Sequence, residues 1–271
     1  MLALLLPVIG FGPDTVYAQT NQAPTLWGPA TWFDWSDFRG IVGGRIYMPH
    51  LVSGTRELAG EALDLKDDLG FRDAPEPFHE IIVGFYLDRL GIRYHMDETT
   101  RFYGLADRGD ERTHSDIELR SPRLGVDLDL IRTSFLRLGA NYDWYTRRMY
   151  FRDRSTPGQL IAFEGNQPMT IGAHGTAIPF RVKGVPFIIH GRIDFPFPIA
   201  DRSRETRLTT WEAGGGLRPP IWETSLLAHT TFSAGFEVGF RQVKLEYTND
   251  RESFQLDAVW QGPYFQMAIY Y

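Results

Sequence analysis

The sequence predicts an all-β protein: a single antiparallel, up-and-down transmembrane β-barrel of ten strands, with eight or twelve as the alternative counts. Three observations predict it. Apolar and polar residues alternate with a period of two along most of the chain from residue 39 onward. Tight turns and longer charged loops take turns as connections. No stretch holds the roughly 20 apolar residues that a membrane-spanning helix needs. A chain that crosses without one must close into a barrel, because lipid tolerates no unpaired strand edge.

Composition fits this reading and narrows it. The 271 residues carry a net charge of -6 and no cysteine, which excludes a disulfide framework, a thiolate metal site and a basic nucleic-acid footprint. Hydrophobic content is ordinary at 43%, as expected where lipid-facing and lumen-facing residues average out.

Residues 1–18 read as a signal peptide: an apolar run from Met1 to Phe11, then Val16 and Ala18 as the small residues before a cleavage site. Residues 19–38 form an aromatic-rich segment expected in the periplasm. Trp32, Trp35 and Phe38 fall three apart, which suits either a short amphipathic turn at the membrane surface or a plug at the barrel mouth.

The barrel is expected over residues 39–271, with strands near 40–52, 77–88, 91–104, 113–130, 133–151, 168–183, 185–199, 206–218, 228–247 and 253–271. Leu124, Val126, Leu128 and Leu130 oppose Gly125, Asp127 and Asp129; Phe232, Ala234, Phe236, Val238 and Phe240 oppose Gly235, Glu237, Gly239 and Arg241. The turns at 88–91, 131–134 and 182–185 are tight, whereas 105–112, 153–167, 200–206 and 248–252 are polar loops. A strand at 56–66 would change the count.

Two features put the charged face inside. Mid-strand glycines (Gly84, Gly125, Gly139, Gly214, Gly216, Gly235, Gly239) gather on it, where they weaken a solvated strand but make room in a narrow lumen. Aromatics such as Trp144, Phe195, Trp211, Trp260 and Tyr271 gather at strand ends, as in interfacial girdles. The lumen then holds Arg93, His95, Asp97, Asp127, Asp129, Arg137, Asp143, Arg147, Arg192, Asp194, Glu212, Glu237, Arg241 and Asp257. In a barrel this narrow, opposite charges should pair and largely occlude the interior. The expected role is a rigid scaffold whose loops make contacts. A narrow pore is the runner-up, and an outer-rim lipid or peptide hydrolase comes third.

For catalysis, His114 and Asp116 share a strand face, so a carboxylate could orient an imidazole there, but Ser115 points the other way. Asp64, Asp67 and Asp68 lack the spacing of an EF-hand loop and read as solvated acids, so neither metal nor cofactor is expected. In the last strand, Phe254, Leu256, Ala258 and Trp260 are even-numbered, whereas Phe265, Met267, Ile269 and Tyr271 are odd. A bulge at Gly262-Pro263 is expected to reconcile them, and another at Ser121-Pro122.

The final odd-numbered run resembles the closing-strand signal by which bacterial outer-membrane barrels are recognised for insertion. With the segment from Leu63 to Phe71 and the Gly262-Pro263 strand, the chain resembles small outer-membrane β-barrel proteins of Gram-negative bacteria for which no activity is established. The resemblance implies a place in the outer membrane. It also implies contact with lipid and lipopolysaccharide, and handling by the barrel-assembly machinery.

Overall fold

A computed structural model describes residues 38–71, 77–97, 100–108, 111–119, 122–145, 150–153, 161–164, 167–197, 204–224, 230–250 and 253–271. The expected signal peptide and nearly all of the aromatic N-terminal segment lie outside the described residues. The elements are β1 (Phe38–Tyr47), β2 (His50–Leu58), β3 (Glu61–Asp64), β4 (Phe78–Leu87), β5 (Leu90–Asp97) and β6 (Thr100–Arg108). There follow β7 (Glu111–Leu119), β8 (Arg123–Arg132), β9 (Leu136–Tyr145), β10 (Tyr150–Asp153), β11 (Ile161–Glu164) and β12 (Met169–Val182). The chain ends with β13 (Val185–Pro196), β14 (Arg204–Leu217), β15 (Pro220–Thr224), β16 (Thr230–Asn249) and β17 (Phe254–Tyr270).

Ten of these close a ring in the order β1, β4, β5, β8, β9, β12, β13, β14, β16, β17 and back to β1. Every pairing in the ring is antiparallel, so the protein is an up-and-down barrel of ten strands. The remaining elements lengthen barrel strands rather than adding to the ring. β2 continues β1 along β17, Tyr47 facing Tyr264 and His50 facing Gln261 in one register that shifts by one residue between Leu51 and Ser53, so the hairpin around 56–66 leaves the count at ten. β15 continues β14 along β16. β6, β7, β10 and β11 form a separate four-stranded sheet beyond β5, β8 and β9.

The connections sort the two ends. Lys183 and Gly184, both at positive φ (49 and 83), turn β12 into β13 within two residues. That is the left-handed pair that hairpin twist requires, and glycine adopts it at no steric cost. We call this the turn end, and the end bearing the four-stranded sheet the loop end.

Side chains alternate across the wall as expected on β8, where Arg123, Gly125, Asp127 and Asp129 are buried while Leu124, Val126, Leu128 and Leu130 are exposed. The outer face carries a belt of exposed apolar residues, among them Ile92, Trp144, Ile171, Ile193, Phe236, Val238, Phe265, Met267 and Ile269. A large contiguous apolar surface wrapped around polar interior charges is the arrangement lipid requires, and it identifies a transmembrane barrel.

The expected bulge at Gly262-Pro263 is not there, and Ser121 of the one expected at Ser121-Pro122 lies outside the described residues. β16 and β17 keep one register from Ser233–Tyr270 to Asn249–Phe254, straight through Gly262 and Pro263. Among the described residues on either side, Arg123 faces Tyr145 and Glu118 faces Tyr150, which is one and the same register. Even-numbered residues of β17 point inward throughout. What changes is the make-up of the two faces: below Pro263 the outer residues are apolar and the inner ones polar, and above it the outer residues are mostly polar and the inner ones mostly apolar. Gly262 serves a close approach instead, since a Cβ there would run into the Met48 carbonyl.

Candidate functional site

The lumen is filled in layers, each built from inward positions of neighbouring strands. Near the turn end, Arg39 donates to the Asp88 carbonyl at 2.7 Å and faces Asp129 at 3.8 Å, with His174 Nε2 3.1 Å from the same carboxylate. Across the barrel, Glu237 accepts from Arg218 at 2.9 Å and from the Tyr270 hydroxyl at 2.6 Å. His190 Nε2 lies 2.6 Å from the Tyr264 hydroxyl. Gly214 and Gly239 make room for Tyr264, because a Cβ on either would overlap its phenol.

The middle layer is a dense ion-pair network in two halves. In one, Arg93 bridges to Asp127 and reaches Asp143 at 3.5 Å, while Arg192 pairs with Asp143 and with Asp194 at 2.8 Å. Asn141 and Thr210 donate to Asp194 at 2.6 and 2.7 Å. In the other, fully buried Glu80 sits among His95 at 2.9 Å, Arg45 and Arg123 at 3.4 Å each, and Arg241 at 3.8 Å. Arg45 also pairs with Glu212 at 2.9 Å and donates to Gln266. His95 Nε2 lies 3.0 Å from the Arg93 guanidinium and Nδ1 2.9 Å from Glu80 and 3.4 Å from Arg123; a neutral ring protonated at Nδ1 accepts from Arg93 and donates to Glu80. Buried charges held this way offset one another, and removing one strands its partners.

Above this network the interior turns mainly apolar, with Arg56, Thr206 and Asn249 buried beside it. Leu51, Leu65, Leu69, Phe71, Ile117, Phe151, Leu208, Leu245, Leu256 and Trp260 pack into one cluster with Tyr145, Tyr247 and Phe254. Phe151 of the four-stranded sheet meets Phe254 of β17 at 5.3 Å between ring centroids, which brings that sheet over the barrel mouth.

The segment after β3 supplies much of this cluster. Asp64 caps a helical turn, its carboxylate accepting from the backbone N–H of Lys66 at 2.7 Å and Asp67 at 2.9 Å. Backbone bonds from Leu69 to Asp64 and from Gly70 to Lys66 close the turn, and Gly70 ends it at φ 64. Leu65 and Leu69 are thereby driven inward, to 0% and 1% exposure. The aspartates read as solvated acids therefore include a capping pair, since Asp68 in turn accepts from the Asp64 N–H at 2.7 Å. Replacing Asp64 with alanine is expected to cost about 1 kcal/mol, the usual loss for an N-cap. Urea unfolding in phospholipid vesicles measures it, and an unchanged midpoint would contradict the capping role.

Of the residues expected in the lumen, Arg93, His95, Asp127, Asp129, Asp143, Arg192, Asp194, Glu237 and Arg241 are buried inside, and Glu212 is nearly so at 12% side-chain exposure. Arg137 lies half-buried beside the turn end. The side chains of Asp97, Arg147, His114 and Asp116 lie outside the described residues; the backbone places His114 opposite Leu105 and Asp116 opposite Tyr103 in the loop-end sheet. Asp257 is a correction. It points outward, 49% exposed and 3.5 Å from Lys244, because the outer face of β17 is wet above Pro263. Phe265, Met267 and Ile269 face lipid, and Tyr271 lies against Gly40 on the outer wall.

Arg45, Glu80, Gln266 and Tyr264 were not singled out from the sequence, nor was Arg123, although it shares the inward face of Asp127 and Asp129. The signal was parity: Glu80 shares the alternation of Gly84 and Arg123 that of Gly125, both read as inward, while Tyr264 and Gln266 alternate with Phe265 and Met267, read as lipid-facing.

No protein-family model matches the chain, and neither does any curated protein. Among solved structures, it is similar to the outer membrane protease OmpT from Escherichia coli, at 9% identity and a TM-score of 0.37 over 87% of this chain and 96% of that one. The translocator domain of the autotransporter NalP from Neisseria meningitidis gives 11% and 0.36 over 86% and 88%. A Pseudomonas aeruginosa FadL homologue gives 10% and 0.30 over 86% and 90%. Likeness at this level carries no activity to this chain.

Proposed function

We propose that the protein is a closed structural barrel of the Gram-negative outer membrane, with its turn end in the periplasm and its loop end outside the cell. On this reading it is a rigid scaffold that presents loops for contact with lipopolysaccharide or partners, and it has no catalytic role. The observation that carries the proposal is the doubly sealed lumen. An ion-pair network with side chains such as Glu80, Asp143 and Asp194 at 0% exposure is topped by an apolar cluster with Leu65, Phe151 and Phe254 equally buried. An ion crossing would have to break the first and dissolve in the second, and each is costly.

The test is conductance in planar bilayers. Purified protein is expected to insert and give no conductance steps in 1 M KCl. Regular steps from the unmodified protein would overturn the scaffold reading in favour of a narrow pore.

A further inference from the structure

Strands rising ~3.4 Å per residue and tilted by about 40° climb ~2.6 Å per residue, so an apolar belt of roughly 25 Å spans about ten residues. The upper edge of the belt is visible on two neighbouring strands. On β16 the outward apolar run stops at Phe240, where Gln242, Lys244 and Glu246 take over; on β14 it stops at Trp211, below Thr209 and Arg207. About ten residues further down, the belt reaches Thr230 on β16 and Ile221 on β15. The β15/β16 pair therefore lies within the lower margin of the belt.

Its side chains agree. Ile221 and Trp222 are 55% and 60% exposed, among the most exposed large apolar residues of the molecule. Trp222 stacks on Phe232 at 5.4 Å, Phe232 meets Tyr271 at 5.9 Å, Tyr271 meets Phe38 at 5.8 Å, and Phe38 stacks on Phe85 at 6.2 Å. This aromatic ribbon is continuous with the lipid-facing wall and crosses the seam where β1, β17 and β16 meet. The opposite face is polar: Arg218 stacks over the Tyr270 ring at 3.6 Å and turns to Glu237 in the lumen mouth.

We infer that the β15/β16 pair is a membrane foot, with Trp222 and Ile221 seated in the headgroup region of the periplasmic leaflet. Tryptophan favours that depth because its indole body is apolar and its N–H is polar. The foot fixes the depth of the barrel at its closing seam. The inference rests on the transmembrane assignment and the proposed orientation.

The test uses the full chain in vesicles of phosphatidylcholine and phosphatidylglycerol carrying bromine at acyl positions 6,7 or 11,12. Subtracting the emission of Trp222→Phe from that of the parent isolates the Trp222 signal. A second variant, Phe236→Trp in the Trp222→Phe background, reports the middle of the belt. We expect Trp222 to be quenched by the shallow bromolipid more than by the deep one, and to be shielded from aqueous acrylamide. Acrylamide quenching of Trp222, with the Phe236→Trp signal still quenched by bromolipid, would place Trp222 in water and overturn the foot alone. If neither signal responds to bromolipid, the membrane assignment falls as well.

Discussion

Replacing Glu80 with alanine is expected to lower the stability of the folded barrel by about 3–5 kcal/mol, the cost of stranding buried charges. One carboxylate faces Arg45, Arg123 and Arg241 and accepts from His95, and none of its side chain is exposed. Without it, three guanidinium groups face one another across a gap that lipid-bounded walls keep from bulk water. Urea unfolding in vesicles, followed by tryptophan emission and by the mobility shift of unboiled protein on gels, measures the loss. Glu80→Gln should lose less, because an amide oxygen still accepts from His95. A double-mutant cycle with Arg123→Leu should return a coupling of roughly 0.5–3 kcal/mol. A Glu80→Ala midpoint within experimental scatter of the parent would mean that the network is hydrated and that the seal is weaker than the structure implies.

The ring of strands was legible because alternation is a local property: a residue's side of the wall follows from parity once the turns are placed. The site was legible only in part, for two physical reasons. Parity says that a side chain points inward but not at what height, so the ion layer and the apolar layer above it were read as one charged lumen. The medium outside also changes along a strand. Leu256 and Met267 are both apolar, yet one is 1% exposed inside the barrel and the other 51% exposed outside. Reading every apolar residue as lipid-facing forced a bulge at Gly262-Pro263 and sent Asp257 inward. Even-numbered residues 254–260 instead belong to a water-surrounded extension with an interior like that of a soluble protein. The turn from Asp64 to Gly70 was hidden for another reason. Its leucines join the core through a helical period inside a strand-rich chain, and its aspartates look solvated until their backbone partners are known.

The same inversion makes three charges on or facing β17 behave in opposite ways. Met267→Lys puts an ammonium of similar length into lipid near the middle of the belt, at an expected cost of about 2–4 kcal/mol. Val259→Glu lies on the same outer face, eight residues nearer the loop end and opposite Lys244. There the outside is water, so its effect should stay within about 0.5 kcal/mol, as for ordinary surface changes. Leu256→Lys, on the inner face of that upper segment, buries a charge among Leu51, Tyr247 and Trp260 and should cost about 4 kcal/mol. A membrane boundary placed higher on the strand predicts instead that Val259→Glu is as costly as Met267→Lys. A lumen that stays polar up to the loops predicts that Leu256→Lys is tolerated. Unfolding midpoints for the three variants in one lipid composition therefore fix where the belt ends and where the interior turns dry.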